Sequence, residues 1–288
     1  METSELLKKV RKIEIKTKGL SRQIFSGEYH SAFKGRGMAF SEVREYIPGD
    51  DVRTIDWNVT ARFNVPYVKV FEEERELNVT LLIDVSASGK FGSKGSFKRD
   101  LITEIAAVIA FSASTNNDKI GVIFFSDKVE RYIPPKKGKS HVLRIIRELL
   151  NFEPENSATD IQVPLKFLTS VIKKRSISFI LSDFMAPYNY HDALKICAKR
   201  HDVVALRLID PLEMNIPDVG LIKLKDNETG KWMYLDSSDK KFRKQFEINR
   251  LKHEAVIKDM FAKSGIDNVN VHTNEGYIKP LMNLFKKR

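Results

Sequence analysis

Three oxygen-bearing side chains follow one apolar run at alternate positions. The run 80–83 ends in Asp84, and Ser86 and Ser88 come at the next two alternate positions. A short apolar run predicts a buried strand, and a tight turn after it could bring the three side chains to one point. Carboxylate and hydroxyl oxygens are hard ligands that suit Mg²⁺ or Mn²⁺ rather than Zn²⁺. The same residues also fit a strand that simply ends in a polar turn.

Two more predicted strands end in oxygen-bearing residues. Residues 119–125 and 177–181 are followed by Ser126-Asp127 and Ser182-Asp183. From residue 79 onward strands alternate with helices, which predicts a mostly parallel sheet covered on both faces. The carboxyl ends of such strands share one edge, where ligands bind. Thr159, in a loop that leads into a helix, could face the same edge, and the whole set favours a metal site over unrelated polar turns.

The other periodicities predict the elements that must position these residues. The helix at about 96–116 has an apolar face that includes Phe97, broad enough to be mostly buried. Ser140 is expected to cap one helix, and Asp160 is expected to cap another rather than to bind metal. The predicted strands are 79–84, 119–125, 129–133, 177–181, 203–209 and 269–271, with a hairpin at 221–235. The predicted helices are about 96–116, 141–150, 161–174, 190–200, 239–263 and 277–285.

The first 78 residues differ from the rest and predict a separate extension, with the main domain at 79–288. Residues 1–26 have the spacing of an amphipathic helix followed by a polar connector. Residues 27–78 predict a small, irregular β structure without helix periodicity. Acids and arginines alternate there, which predicts a salt-bridged scaffold and docking extension, because no nucleophile accompanies the carboxylates. If Trp57 is a core residue of this extension, its loss would cost several kcal/mol, about 3–5.

Composition limits the classes of protein that fit. The chain has 288 residues and 49 basic against 38 acidic side chains, a net charge of +11. That balance suits an acidic partner, an anionic surface or a nucleic acid, although the charge is dispersed. The single Cys197 excludes an intramolecular disulfide and fits a reducing compartment. No apolar stretch reaches the ~18 residues of a membrane span, and residues 1–18 lack a signal-peptide core, so a cytoplasmic protein is expected.

The residues singled out above resemble two known patterns. Asp84-x-Ser86-x-Ser88, with the later Thr159 and Asp183, resembles the metal-ion-dependent adhesion site of von Willebrand factor A-type domains, over roughly residues 79–275. The preceding segment resembles the signature of the bacterial "domain of unknown function 58" family. Its matching pieces are Gly35-Arg36-Gly37, Phe40, Arg44-Glu45-Tyr46, the run 48–53, Ile55-Asp56-Trp57 and Ala61-Arg62.

The resemblance implies a fold, a metal and a partner. It implies a three-layer αβα domain with a mostly parallel sheet, preceded by the small β-containing extension. It implies Mg²⁺, or Mn²⁺, held directly by Ser86, Ser88 and often Thr159, with Asp84 and Asp183 acting wholly or partly through water. Such an ion stays electrophilic and can accept a carboxylate from another protein. The resemblance also implies association with a MoxR-type AAA+ ATPase in assembly, metal insertion or stress responses.

Three functions follow from these observations. The leading hypothesis is a metal-dependent protein-interaction module that is not an enzyme. Phosphoryl transfer at Asp84 is the enzymatic alternative, but phosphatases of the haloacid dehalogenase type need a second Asp two residues later, where this chain has Ser86. The chain also lacks a Gly-rich Walker loop and a His-Glu-x-x-His zinc motif. A nucleic-acid-binding protein is the remaining alternative, and it rests only on the basic balance.

Overall fold

The structure is a computed structural model that describes residues 10–11, 13–14, 38–73, 76–92, 97–186, 190–226 and 230–288. These residues form two compact units. The smaller lies within residues 34–77, and residues from 78 onward group with residues 10–14 in the larger. Residues 10, 11, 13 and 14 are helical. The rest of the helix and connector predicted over 1–26, the glycines at 35 and 37, and the hairpin tip at 227–229 lie outside the described residues.

The smaller unit is built on two antiparallel strands, β1 (Met38–Glu45) and β2 (Tyr67–Glu73). Between them lie a 3₁₀ turn (Val52–Thr54) and the helix α1 (Trp57–Phe63). Asp56 starts α1 by accepting the backbone N–H groups of Asn58 and Val59 at 3.0 and 3.3 Å. The expectation of β structure alone was wrong here, because a helix of two turns is too short to show a 3.6-residue period.

Ion pairs connect the turns of the smaller unit, as its alternating acids and arginines predicted. Arg44 donates two hydrogen bonds to Asp50, at 2.8 and 2.7 Å, and Arg53 pairs with Asp51 at 3.0 Å. Trp57 is 68% exposed, so it does not occupy the core position considered for it. The large loss of stability that a buried tryptophan would cause is therefore not expected at this residue.

Six strands of the larger unit form one sheet: β3 (Asn78–Asp84), β4 (Lys119–Phe125), β5 (Val129–Lys136), β6 (Ile177–Ser182), β7 (Asp202–Ile209) and β10 (Asp267–His272). Their order across the sheet is β10-β7-β6-β3-β4-β5. All neighbouring strands are parallel except β5, which pairs antiparallel with β4 at one edge. Strands β3, β4 and β6 are almost wholly buried, which explains why most of their residues are apolar. Strands β8 (Leu221–Lys225) and β9 (Trp232–Asp236) form a separate antiparallel hairpin.

Helices cover both faces of this sheet and confirm the three-layer prediction. On one face, Leu82 and Ile180 of the strands share an apolar cluster with Leu165 and Phe261 of two helices. Alternate strand residues point to the other face, where Phe179 lies 6.4 Å, between ring centroids, from the ring of Phe285. The first layer contains α4 (Gln162–Val171), α5 (His191–Arg200) and α7 (Lys240–Ser264); the second contains α2 (Lys98–Thr115), α3 (Lys139–Asn151) and α8 (Ile278–Lys286).

Several local expectations were wrong at element ends. Helix α2 begins at Lys98, and Phe97 precedes it. Phe97 is 51% exposed rather than part of the buried face, and Lys98 is buried. Gly138, rather than Ser140, precedes the first turn of α3. Strand β5 continues to Lys136 through Pro134 and Pro135, which an edge strand tolerates because one side of its backbone is unpaired. Within the described part of the chain, no helix has the length and apolar character needed to cross a membrane.

Candidate metal centre

The carboxyl ends of β6, β3 and β4 form one edge of the larger unit's sheet. These strands are neighbours and run parallel, with β3 in the middle. Asp84 ends β3, Asp183 follows β6, and Ser126 follows β4. The structure therefore confirms that the three polar strand ends predicted from the sequence lie side by side.

Asp84 is held by neutral donors on both of its carboxylate oxygens. Its Oδ1 accepts the backbone N–H of Ser86 at 3.0 Å, and its Oδ2 accepts the Ser182 hydroxyl at 2.6 Å. The 3₁₀ turn over Ala87–Lys90 then brings the Ser86 and Ser88 hydroxyls to 3.1 Å from one another. Asp84 and Ser86 are 5% and 2% exposed, and Ser88 is half-buried, so the set is buried on the side of Asp84 and Ser86. Sequence reasoning noted Ser182 as a polar strand end but did not assign it this contact.

The loop that carries Thr159 borders this set. Ala87 N–H donates to the Ser157 carbonyl at 3.2 Å, and Asp160 N–H donates to the Ser126 carbonyl at 3.0 Å. Thr159 lies between these two tethers and is half-buried, and its role as a ligand stays a prediction. Asp160 accepts the N–H of Gln162 at 2.8 Å, but the N-cap position of α4 is Ile161, so the cap expected at Asp160 lies one residue further along the chain.

Asp127 is used structurally by the neighbouring loop. Its carboxylate accepts both the Asn156 side-chain amide, at 2.8 and 3.1 Å, and the Ser126 hydroxyl at 3.2 Å. These contacts join the end of β4 to the loop before α4. Asp127 therefore has a role that agrees with its omission from the predicted ligands.

Asp183 is bound to a buried lysine that sequence reasoning missed. Lys98 Nζ donates to Asp183 Oδ2 at 2.9 Å and to Glu213 Oε1 at 2.5 Å. Asp183 Oδ1 accepts the N–H of Met185 at 3.0 Å, and Ser88 also hydrogen-bonds to this carboxylate. No sequence signal marks Lys98, because it is one basic residue among many at a helix start. Glu213 lies in a short helix, α6 (Pro211–Met214), that was also not predicted.

The two aspartates have opposite electrostatic environments. Burial and the nearby charge of Asp183 raise the pKa of Asp84 to about 6. Burial alone would raise the pKa of Asp183 too, but the charge and hydrogen bond of Lys98 outweigh it and lower that pKa. The Lys98 pKa is raised, because the two carboxylates outweigh the burial that would lower it. A cation beside Asp84 would relieve the repulsion that raises its pKa.

The residues present fit a hard divalent ion. Two carboxylates and two hydroxyls converge at one sheet edge, and oxygen sets of this kind are typical of Mg²⁺ and Mn²⁺ sites. Among the described residues, no cluster of three His, Cys, Asp or Glu side chains could hold a metal by itself. An ion at this edge would therefore depend on Ser86 and Ser88 as well as on the aspartates.

The strand order, the antiparallel edge strand and the helices on both faces are those of a von Willebrand factor A-like α/β fold. The chain itself belongs to the family described as protein of unknown function DUF58, whose sequence pattern matches residues 42–256. The smaller unit's signature and the sheet of the larger unit both fall largely within that match. The fold class and the family expected from the sequence are thus confirmed.

Known relatives and structures resemble the chain over all or part of its length. An uncharacterised protein of Mycobacterium tuberculosis is 29% identical over 290 residues, which cover 100% of this chain and 91% of that protein. An uncharacterised protein of Bacillus subtilis is 28% identical over 109 residues, covering 38% of this chain and 25% of that protein. The crystal structure of an aerotolerance-related membrane protein from Bacteroides fragilis matches with a TM-score of 0.52 and 14% identity, covering 74% of this chain and 100% of that one. At that identity the likeness shows the fold alone.

Proposed function

We propose that this protein is a metal-dependent protein-interaction module that binds Mg²⁺ or Mn²⁺ at Asp84, Ser86, Ser88, Thr159 and Asp183. One observation carries the proposal: the Ser86 and Ser88 hydroxyls lie 3.1 Å apart, next to two buried carboxylates at the carboxyl edge of the sheet. When bound, the ion would supply a Lewis-acidic position open to a ligand from outside the chain.

The chain's own residues would prepare that position. Ser182 and the Ser86 N–H hold Asp84 in one orientation, so it can accept a metal-bound water without rearranging. Two serines and a threonine carry no charge, so the ion would stay under-neutralised and favour an acidic side chain of a partner. The net charge of +11 would steer an acidic surface toward the site.

The partner we propose is a MoxR-type AAA+ ATPase, with this protein as its adaptor in assembly, chaperone-like or stress-response processes. This choice rests on the family resemblance, and the acidic residue would come from a loop of the ATPase. We place the pair in the cytoplasm, which suits the single reduced and buried Cys197. We propose no enzymatic activity, because Ser86 stands where the phosphatase alternative needs its second acid.

Calorimetry with Mn²⁺ tests the metal site. The wild type is expected to release or absorb heat that saturates at one ion per chain, and Ser86→Ala is expected to lose that binding. Ser170→Ala is a matched control, because Ser170 is an exposed residue of α4 whose hydroxyl donates to the Phe167 carbonyl of its own helix. Equal binding by the wild type and Ser86→Ala would refute the site.

Capture of a purified MoxR-type ATPase, with Mg²⁺ or with a chelator, tests the partner. The wild type is expected to retain the ATPase only with Mg²⁺, and a folded Asp84→Ala variant is expected to retain none. If both proteins capture it equally, with or without chelator, the adhesion mechanism is wrong. Retention of nucleic acid that falls steeply with salt would instead favour the alternative of a basic nucleic-acid-binding protein.

A further inference from the structure

A lysine is buried beside the candidate metal centre, and the proposed interaction role does not use it. Lys98 is the first residue of α2, and its side chain is 2% exposed. Its ammonium group contacts Asp183 at 2.9 Å and Glu213 at 2.5 Å. A buried charge persists only when it is paired and hydrogen-bonded, and two carboxylates from other elements meet that condition here.

Glu213 is held in place independently of the metal centre. It belongs to the capping box of α6, in which its Oε2 accepts the backbone N–H of Asp210 at 3.1 Å. The Asp210 side chain in turn accepts the Leu212 N–H at 3.0 Å and the Thr273 hydroxyl at 2.7 Å. The second Glu213 oxygen is therefore presented to Lys98 by a rigid cap, which fixes the position of the ammonium.

Asp183 is consequently already paired with a cation, and Asp84 is not. Lys98 binds the Asp183 carboxylate, and the Arg207 guanidinium donates to the Asp183 backbone carbonyl at 3.1 Å. Asp84, by contrast, accepts from neutral donors: the Ser86 N–H, the Ser182 hydroxyl and the Ser86 side chain. An ion placed among these groups would be attracted mainly by Asp84 and repelled by the ammonium on Asp183.

We propose that Lys98 is an internal cation that competes with the divalent ion for Asp183. It weakens metal binding by the isolated chain and keeps Asp183 out of direct coordination. The bound ion then depends on a carboxylate from outside for its missing charge, so that metal and partner bind strongly only together. This inference rests on the proposed function and names how that site is regulated.

Mn²⁺ binding by Lys98→Met tests the inference directly. The variant is expected to bind Mn²⁺ about tenfold more tightly, or better, because a nearby positive charge is gone. Water-proton relaxation is expected to show fewer water molecules on the bound ion, since the freed Asp183 can take a direct position. Lys258→Met is the matched control, because Lys258 is an exposed lysine of α7 and its loss changes the net charge equally. That control is expected to bind as the wild type does.

A second pair of variants keeps the test valid if Lys98→Met does not fold. That substitution leaves two carboxylates buried without a cation, which is costly. Glu213→Gln retains an oxygen for the Asp210 N–H, and the double variant Lys98→Met/Glu213→Gln removes one charge of each sign. The double variant is expected to bind Mn²⁺ about tenfold more tightly than Glu213→Gln alone, by the same electrostatic argument. Circular dichroism establishes that each protein is folded.

The outcomes separate this inference from the proposed function. Equal affinity within each pair, with binding lost in Ser86→Ala, would overturn the role of Lys98 and leave the metal module intact. Weaker binding without Lys98 would also overturn it, because the lysine would then be a support for the site. Absence of Mn²⁺ binding in all of these proteins would overturn both proposals.

Discussion

At the scale of single residues, the site pairs two buried aspartates in unequal environments. Asp84 is surrounded by neutral donors, whereas Asp183 is bound by the Lys98 ammonium. The charge of Asp183 and burial together favour the protonated form of Asp84 in the folded, metal-free protein. Protonation of Asp84 therefore has a direct consequence for stability that can be measured without a partner.

The stability of the metal-free protein should depend on Asp84 as pH changes. The folded pKa of Asp84, about 6, exceeds the ordinary value of 3.8, so between these values the folded state binds more protons than the unfolded state. The contribution of Asp84 to the free energy of unfolding is then greatest below its ordinary pKa. It is lost as the pH rises through the pKa of Asp84 in the folded state. Between about pH 4.5 and about pH 7.5, the free energy of unfolding of the wild type is expected to fall by about 1–3 kcal/mol relative to that of Asp84→Asn.

Urea unfolding in EDTA at both pH values measures this difference. The comparison uses the change in the free energy of unfolding between the two pH values. Any loss of stability that the Asn substitution causes at both pH values therefore cancels. Parallel pH profiles for the two proteins would show that the Asp84 carboxyl is not perturbed.

At the scale of elements, a helix of the larger unit buries a large aromatic side chain, whereas a helix of the smaller unit exposes one. Phe261 of α7 is 2% exposed and packs edge-to-face with Phe184, with 5.0 Å between ring centroids. Trp57 of α1 is 68% exposed. We expect Phe261→Ala to cost about 3–5 kcal/mol, and Trp57→Ala to cost less than about 1 kcal/mol. Denaturant unfolding of the two variants measures both costs, and a large loss with Trp57→Ala would contradict the exposure of that side chain.

The contact between β4 and the edge strand β5 depends on one glycine. A Cβ at Gly121 would lie 2.8 Å from Pro135 N and 2.9 Å from the Ile133 carbonyl oxygen, both backbone atoms that cannot turn aside. Gly121→Ala is therefore expected to destabilise the protein by about 1–3 kcal/mol, as overpacking does. Gly276→Ala is a control, because among the described residues, apart from its two chain neighbours, no atom lies within 4 Å of a Cβ there. Equal melting temperatures for both variants would show that β5 can shift freely.

At the scale of the whole molecule, a bound ion should stabilise the folded chain. A ligand that binds only the native state adds about 2.7 kcal/mol at a hundredfold excess over its Kd. We therefore expect Mn²⁺ to raise the melting temperature of the wild type in a concentration-dependent way, and to leave Ser86→Ala unchanged. Scanning calorimetry with and without Mn²⁺ measures the shift. An equal rise in both proteins would indicate binding elsewhere on the surface.

Local residue order was enough to predict much of this protein. The strand that ends in Asp84 and the alternation of strands with helices follow from side-chain periodicity, which depends on neighbours only a few residues apart. The spacing of Asp84, Ser86 and Ser88 is likewise local, because one turn positions all three. The signature around residues 35–62 supported the family for the same reason.

Only the tertiary structure decided which distant residues meet at the site. Lys98 is 85 residues from Asp183 and 115 from Glu213, and Ser182 is 98 from Asp84. These contacts depend on β3 lying between β4 and β6, and periodicity predicts strands without their order. The exposure of Trp57 could not be predicted from the sequence for a related reason. A side chain is buried by the elements that pack against it, and those contacts exist only once the chain has folded.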